Sequence, residues 1–345
     1  MTRRRARCLQ PCSAPACDKQ KSATQTGVAL LSAMLTVTLV ATFAAAALWQ
    51  QWRGVEVESA ERARVQSSWL LTGALDWARL ILREDARSGG VDHLAEPWAV
   101  PLNDARLSSF LSADKNADDR GQDAFLSGQM TDLQSRLNVA NLIDGHAVSE
   151  SGMACFSRLF ATLGLPPAEL AMLAGQLLQA TRNGHSAIHP GSAQAATDGM
   201  PAPLMPERVS ELLWLGLTPM SLNALSPYIT LLPTRTPVNL NTASAEVIHA
   251  ITPGLEMADA QKLVGARQRA HFRALNDATQ VSAGRPGQFN ESLHTVSSRF
   301  FEVRGSLRLD QTTLEERSLL QRDGLTVRTL WRHRGVIPDS TGGVP

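Results

Sequence analysis

Acidic and amide side chains crowd one short polar stretch, DKNADDRGQD, at residues 114–123. Hard oxygen ligands at this density suit Ca²⁺, which takes roughly six to eight oxygens in proteins. The stretch begins like an EF-hand loop, but its sixth position is Asp119 rather than glycine and its twelfth is Phe125 rather than glutamate. It is therefore not an EF-hand, and we favour a solvated loop, with a calcium site as the alternative. The candidate calcium ligands are Asp114, Asn116, Asp118, Asp119 and Asp123.

A second stretch that could do chemistry covers residues 237–275 and resembles a helix-hairpin-helix of the DNA-uptake type. In such motifs a glycine-rich hairpin presents backbone N–H groups to a phosphate. The tripeptide PGL at 253–255 matches the start of that hairpin, and Arg267 and Arg269 could reach a phosphate backbone. The next residue is Glu256, however, whose charge opposes phosphate. We interpret the stretch as a helical packing module, with DNA binding as the alternative and no nucleic acid expected.

Catalytic motifs are missing from the sequence. It contains no G-x-S-x-G, no H-E-x-x-H and no P-loop. His185 and His189 stand in a loop rich in proline and glycine, where we expect them to be solvated. Cys155 lies among apolar residues, and we predict that it is a small buried apolar side chain. The other three cysteines all precede residue 18, and their spacing matches no common zinc site. We predict that the chain is not an enzyme.

The first 27 residues form a basic leader ahead of a long apolar run. Six basic residues against one aspartate give this leader a charge near +5, although the net charge of the whole chain is only +1. The run from 28 to 48 has no charged residue, and at about 1.5 Å per residue it matches the roughly 30 Å of bilayer hydrocarbon. The apolar core of a cleaved export signal is shorter, about 7–15 residues. Trp49 and Trp52 follow as an interfacial belt, so an uncleaved anchor with a cytoplasmic N-terminus is one interpretation.

Beyond the apolar run the sequence predicts one nearly continuous helix over residues 28–87, which ends at Gly89-Gly90. Apolar residues there recur at three- and four-residue steps, the spacing of one helix face. We predict that this face, tryptophans included, packs in the core. Its members are Val65, Trp69, Gly73, Trp77, Leu80 and Ile81.

Strand patterns lie on both sides of a long helical middle section. Residues 122–143 alternate weakly and suggest two short strands, whereas 300–309 alternates clearly. Residues 314–321 and 325–333 flank Asp323-Gly324, a favoured hairpin turn. The middle section predicts helices at 149–163, 167–182, 207–215, 220–231, 243–251 and 257–270, with a loop at 185–206.

The order of these elements predicts an α+β fold. In it a long N-terminal helix, half transmembrane and half amphipathic, packs on an antiparallel sheet, and a large all-α subdomain is inserted between strands. The predicted parts are a cleaved leader (1–27), a transmembrane helix (28–52), an α/β domain (53–145 and 276–335), the helical subdomain (146–275, with the helix-hairpin-helix-like 237–275) and a flexible tail (336–345).

The junction between Gly27 and Val28 resembles the signal of type IV prepilins and pseudopilins. In that family a polar, basic leader ends in glycine, and an apolar helix begins at once. The resemblance implies that a membrane-embedded prepilin peptidase cuts after Gly27 and methylates the new amine of Val28, so that the anchor is kept. The chain departs from the family at the fifth mature residue, which is Ser32 where most members carry glutamate.

The chain as a whole resembles the K-type minor pseudopilin family of the type II secretion system. A large mature chain, the missing glutamate and the helical insertion all agree with that family. The most telling segments are GVALLSAML (27–35), ERARVQSSWLLTGALDWARLILREDA (61–86), FLSGQMTDLQSRLNVANLI (125–143) and PVNLNTASAEVIHAI (237–251).

This resemblance implies a structural role rather than an enzymatic one. K-type subunits join I-type and J-type minor pseudopilins in a complex at the tip of the pseudopilus, where they initiate its assembly for export of folded proteins across the outer membrane. Before assembly the chain would sit in the inner membrane with its N-terminus cytoplasmic and its large domain periplasmic. Members of the family can bind calcium, which adds weight to the acidic stretch at 114–123. The runner-up is a single-pass membrane protein with an exported DNA-binding domain, as in competence systems.

Ser32 fits a tip position on physical grounds. A buried carboxylate within the span costs several kcal/mol, roughly, unless it is paired. In these filaments the glutamate pairs with the methylated amine of the neighbouring subunit on the tip side. A leading subunit has no such neighbour, and serine at this position avoids the cost.

Overall fold

The computed structural model describes five stretches of the chain, which divides into two compact units. The units are Met1–Arg62 and Ala63–Pro345, and each is described by itself. The described stretches are residues 26–106, 124–188, 203–282, 288–309 and 312–335.

Helix α1 runs from Thr26 to Ser88, which confirms the long helix predicted over 28–87. Within the first unit every described side chain from Val28 to Arg62 is exposed. By length and composition the helix could cross a membrane. It ends because Gly89 adopts a φ of +61°, the left-handed conformation that commonly closes helices.

The second unit contains a five-stranded antiparallel sheet of order β1–β2–β9–β10–β11. Three of its strands lie where the alternation predicted them, near the C-terminus. The β10–β11 hairpin turns at Gly324, whose φ of +58° suits a tight turn between twisted strands. The strands are β1 Leu102–Arg106, β2 Ala124–Asp132, β9 Phe300–Leu309, β10 Thr312–Asp323 and β11 Thr326–Gly335.

The prediction of two short strands over residues 122–143 is wrong in detail, because only β2 is a full strand. Asp132 and Asn138 each accept a hydrogen bond from the backbone N–H two residues later. Such local bonds favour turns over a sheet ladder, so short 3₁₀ turns follow at Leu133–Ser135 and Val139–Leu142. Two-residue strands complete the region: β3 Leu137–Asn138, β4 Ile143–Asp144 and β5 Ala147–Val148.

Helices occupy most of the chain between β2 and β9. Ser149 and Ser244 cap their helices by accepting hydrogen bonds from the N–H groups of Gly152 and Val247. The helices are α2 Glu150–Thr162, α3 Pro167–Ile188, α4 Pro219–Leu225, α5 Ala245–Ile251, α6 Met257–Arg269 and α7 Leu275–Val281, with a 3₁₀ helix at Val209–Leu215. Short strands lie among them: β6 Ile229–Thr230, β7 Val238–Asn239 and β8 His294–Thr295.

Two helix boundaries differ from the predicted ones. The helix predicted over 220–231 ends at Leu225, because β6 pairs in parallel with β3 immediately afterwards. Helix α3 continues to Ile188 rather than ending at 182, so it takes up the first residues of the predicted loop at 185–206.

The sheet separates two apolar layers. Its inner face carries Leu126, Phe301, Leu307 and Leu320 against α1, and its outer face places Phe300 and Leu319 beside Leu133 and Leu232. A larger core, including Phe156, Leu159 and Ile248, fills the helical region. The predicted α+β class, with a long N-terminal helix, an antiparallel sheet and additional helices, is confirmed.

Cys155 is buried in α2, as predicted, and is only 2% exposed. Burial raises the pKa of its thiol, which lies 3.9 Å from the carbonyl oxygen of Ile251. In a variant with the three leader cysteines replaced by serine, Cys155 is the remaining thiol. We expect it to react about a hundredfold more slowly in the folded protein than in the protein unfolded by denaturant. The measurement is the rate at which a chromogenic disulfide reagent modifies Cys155, with and without guanidinium. Equal rates would contradict the burial of the thiol.

Candidate functional site

The stem, residues 63–88 of α1, buries a different face from the one the sequence predicted. Leu71, Leu75, Ala78 and Leu82 face the sheet and are buried. The prediction that the tryptophans pack in the core is wrong. Instead an aromatic stripe lies exposed, with Val65 53%, Trp69 71%, Trp77 50% and Leu80 41% accessible.

Both faces of the stem carry apolar residues at helical spacing, so periodicity alone cannot choose between them. At about 100° per residue the aromatic stripe spans an arc of about 120°, centred opposite the buried leucines. Leucine and alanine let the helix backbone approach the strands closely. The Cδ2 atom of Leu71 lies 3.2 Å from where a Cβ on Gly305 would stand, so this helix face leaves no room for tryptophan there.

The predicted processing junction lies at the start of α1, with Gly27 and Val28 both in helical conformation. The Ser32 hydroxyl donates a hydrogen bond to the carbonyl oxygen of Ala29 at 2.9 Å. Thr36, Thr38 and Thr42 make the same bond to the carbonyl three residues earlier. The hydroxyl of Ser32 is therefore satisfied within its own helix, which a glutamate carboxylate could not achieve, since it has no proton to donate.

The candidate calcium ligands lie outside the described residues, and calcium binding there stays a prediction. They are Asp114, Asn116, Asp118, Asp119 and Asp123. His189 also lies outside them, and His185 belongs to the last turn of α3.

The helix-hairpin-helix stretch forms α5 and α6, joined by a short turn in which Gly254 has a φ of +71°. Arg267, one of the two arginines considered for phosphate contact, donates instead to the carbonyl oxygen of Leu240 at 2.5 Å. Burial lowers the pKa of this guanidinium to about 10. Acidic side chains stand at the start of α6, where Glu256 precedes the first turn and Asp259 pairs with Lys262 at 2.7 Å. The geometry thus supports a packing role for this hairpin.

A charged junction, formed by Asp85, Asp92, Glu96, Asp132 and Arg322, was not found from the sequence. Arg322 comes from β10 and Asp85 from α1, and their side chains meet at 2.7 Å. The same guanidinium reaches Asp92 at 2.6 Å, with both side chains at least nine-tenths buried. One arginine therefore ties the end of the stem to the loop after it and to the sheet.

Asp132 extends the junction into the helical region. One of its carboxylate oxygens accepts from Thr242 at 2.5 Å, from Ser298 at 2.6 Å and from Asn239 at 3.1 Å. The backbone N–H of Ser298 also donates to Asp92 at 2.6 Å, which links the two carboxylates. Because stem, sheet and helical region all contribute, we infer that the junction fixes their mutual positions.

A sequence signal for this junction exists in β10. Side chains alternate across a strand, and the inward row of β10 contains Glu316 and Arg322 among Leu314, Ser318 and Leu320. A charged residue at an inward position indicates a buried ion pair, because buried charges are rarely left unpaired. The identity of its partners could not be obtained in this way.

Three carboxylates of the junction lie near enough to share a cation. Oxygen atoms of Asp85, Asp92 and Glu96 lie within 4.8 Å of one another. The guanidinium of Arg322 already supplies positive charge to two of them, and Glu96 accepts from the indole N–H of Trp98 at 2.6 Å. We therefore assign no metal to this group.

Burial perturbs the acids of the junction. It raises the pKa of Asp92 to about 6, outweighing the attraction of Arg322. It raises the pKa of Glu96 to about 7, and the pKa of the fully enclosed Asp132 is raised as well. Burial and the nearby His271 together lower the pKa of His93, whose ring stacks on that of His271 at 3.9 Å.

The raised pKa of Glu96 gives the free energy of unfolding a contribution that falls between pH 6 and pH 8, whereas the lowered pKa of His93 gives one that rises with pH. An acid whose pKa is raised in the folded state stabilises the fold while protonated, and this contribution is lost as pH rises through the folded pKa. For Glu96 the loss over this window is about 1 kcal/mol. Glu96→Gln, which can still accept from Trp98 and the His93 N–H, should remove this falling contribution. Urea unfolding at several pH values measures it, and an equal slope in both proteins would refute this assignment.

Comparison with known proteins identifies relatives of one kind. Sequence models of the family described as type II secretion system (T2SS), protein K, match residues 135–234 and 238–297. A type II secretion system protein K from Pseudomonas aeruginosa is 30% identical, covering 93% of this chain and 95% of the relative. Proteins of the same name from Pectobacterium carotovorum and Klebsiella pneumoniae are each 26% identical, covering 90% of this chain and 97% of theirs.

A solved structure shares the fold. A chain from the crystal structure of the GspK–GspI–GspJ complex of the enterotoxigenic Escherichia coli type 2 secretion system superposes with a TM-score of 0.56. The alignment covers 80% of this chain and 98% of that one, at 15% sequence identity. At this identity the likeness concerns the fold.

Proposed function

Since the chain belongs to the type II secretion system protein K family and is a minor pseudopilin of that system, we propose that it leads the pseudopilus. In this proposal it forms the tip complex with I-type and J-type minor pseudopilins and initiates assembly of the filament. Before assembly it is anchored in the inner membrane by residues 28–52, with the N-terminus in the cytoplasm and the large domain in the periplasm.

The observation that carries this proposal is the aromatic stripe on the stem. Trp69 is 71% exposed on a helix whose opposite face already packs on the sheet. Two large aromatic side chains in one exposed apolar row are typical of an interaction surface, since tryptophan is enriched among the residues that dominate binding energy. A row along a helix offers a partner helix the i, i+4 anchors that it needs.

Ser32 supports the leading position within the filament. Its hydroxyl is satisfied by the carbonyl oxygen of Ala29 and needs no group from a neighbour. A glutamate here would require a positive partner once the helix is surrounded by apolar material, at a cost of several kcal/mol, roughly, if none were present. A subunit with no neighbour on its tip side therefore loses nothing by carrying serine.

Co-purification of partners tests the proposal directly. We expect the full-length chain, co-expressed in membranes with cognate I-type and J-type subunits, to recover both from detergent extracts. Trp69→Ala should weaken this association by about 2 kcal/mol, as for an anchoring tryptophan, which is about thirtyfold in affinity. The exposed position of Trp69 predicts little change in thermal unfolding, within about 0.5 kcal/mol.

Trp214 provides a matched control, because it is 64% exposed in the 3₁₀ helix Val209–Leu215, outside the stem. Trp214→Ala should leave recovery of both partners unchanged. Failure of the unmodified chain to recover either subunit would contradict the proposed partners. Equal losses in the two variants would show that exposed tryptophans act without regard to position, and that the aromatic stripe is not a specific contact surface.

A further inference from the structure

A cavity of about 250 Å³ lies between the stem and the inner face of the sheet. Leu71, Ala78 and Ile81 form its helix wall, and Gly128 and Gly305 form part of its floor. These two glycines are direct partners across the β2–β9 pair, so the sheet surface carries no side chain at this point. An engineered apolar cavity of about 150 Å³ holds benzene, and the present one is therefore large enough for a leucine or phenylalanine side chain.

The two glycines of the floor differ in how much room each has for a side chain. A Cβ added to Gly305 would come within 3.2 Å of Leu71 on the stem. Among the described residues, a Cβ added to Gly128 would meet nothing nearer than the Arg304 carbonyl oxygen at 3.6 Å, an ordinary contact. The space above Gly128 is thus open and could be filled by a side chain, either of this chain or of another.

The mouth of the cavity lies beside the aromatic stripe. Trp77, which belongs to the stripe, also lines the cavity, together with Val100 and Pro101 on the opposite rim. Trp77 is 50% exposed and Val100 66% exposed, so the rim is apolar and open to solvent. A helix covering the stripe would therefore pass next to the opening.

The polar end of the cavity does not need a charged ligand, because the carboxylate there is already paired. Glu316 borders it, but Arg332 and Arg334 from β11 already hold this carboxylate at 2.7 and 2.5 Å. Arg332 in turn donates to the Thr72 hydroxyl on the stem at 3.1 Å. Arg304, which also lines the cavity, is paired with Glu302 at 2.7 Å. With these charges paired and a lining that is mostly apolar, the cavity fits an uncharged apolar group.

We propose that this cavity receives a bulky apolar side chain from the stem helix of the I-type or J-type partner as that helix covers the aromatic stripe. The inference rests on the proposed function, because it assigns the anchoring point of the same interface. An apolar knob in a preformed pocket at an interface is the usual form of a binding hot spot. The open, glycine-floored space and the shared Trp77 are the observations that favour a partner helix as the occupant.

Filling the cavity from within tests this proposal. Gly128→Leu places a side chain in the space without changing the aromatic stripe. We expect recovery of the partners by the full-length chain to fall about tenfold or more, while the melting temperature stays the same or rises. Gly175→Leu is the control, since Gly175 has open space around it in α3. If Gly128→Leu lowers the melting temperature, Gly128→Ala and Gly128→Val give a graded series that should lose affinity in order of side-chain size.

A crosslinking experiment gives a second readout that needs no stability argument. A photoreactive benzoylphenylalanine in place of Val100, at the rim, should crosslink to the apolar stem of a co-expressed partner. Crosslinks to phospholipid alone would overturn the proposal in favour of an acyl chain. If Trp69→Ala weakens association but Gly128→Leu does not, the cavity assignment fails and the proposed function stands. If neither variant has an effect, the cavity and the aromatic stripe both lose their assigned roles, and recovery of the partners by the unmodified chain alone decides the proposed function.

Discussion

Replacing Arg322 with methionine should lower the free energy of unfolding by about 3–5 kcal/mol, the usual cost of removing one partner from a buried ion pair. The guanidinium contacts Asp85 and Asp92 and also donates to the carbonyl oxygen of Ser298 at 2.8 Å. Without it, both carboxylates lose the cation that they contact in this enclosed site. A loss of this size is a large share of the roughly 5–15 kcal/mol that holds a domain folded. Urea unfolding of the detergent-solubilised chain, followed by circular dichroism, measures it.

Two companion variants separate charge from packing at this position. Arg299→Met removes an arginine whose pair with Asp323 is largely exposed, and should cost less than about 1 kcal/mol. In the Arg322→Met background, Asp92→Asn should recover part of the lost stability, because it removes one of the unpaired charges. A cost near that of Arg299→Met would show that the junction does not hold the stem, sheet and helical region together.

Gly27→Leu should abolish removal of the leader and, with it, function in secretion. The resemblance to prepilin signals assigns the cut to the bond between Gly27 and Val28. The prepilin signals that this junction resembles end in glycine, and leucine places a branched side chain where that signal has none, so the effect is expected to be nearly complete. Mass spectrometry of the purified chain is the measurement. The unmodified protein should begin at methylated Val28, and the variant should retain the leader.

Gln25→Ala, two residues earlier, is the matched control and should be processed normally. An intact leader in the unmodified protein would contradict the prepilin interpretation of this signal. A cut placed after the apolar run would do the same, since the chain would then lose the helix that the proposal keeps for the membrane and the filament.

The two faces of the stem explain how one helix can serve the fold and a partner together. Its leucine face is used by the sheet, and the junction around Arg322 fastens its C-terminal end. Trp69 and Trp77 lie on the other face and contribute little to the packed core. Changes in the aromatic stripe should therefore affect association, whereas changes at Arg322 should affect stability.

Those parts of the protein whose signals are local can be predicted from consecutive residues. The uncharged run after Val28 specifies a membrane-compatible helix, because length and hydropathy are properties of consecutive residues. Alternation predicted the strands at 300–309 and around Gly324, and α2 and α5 lie within the helices predicted at 149–163 and 243–251. The resemblance to the K-type family also depends on consecutive segments and their order.

The groups that meet across long distances in the chain, by contrast, depend on the three-dimensional packing. Arg322 and Asp85 are 237 residues apart, so the register of β10 against the stem determines their contact, and no local pattern carries that information. The choice between the two faces of the stem has the same origin. Both are apolar at helical spacing, and the close approach of Leu71 to the bare backbone at Gly305 leaves the tryptophans outside. Side-chain size at the contact, which periodicity does not record, selected the buried face.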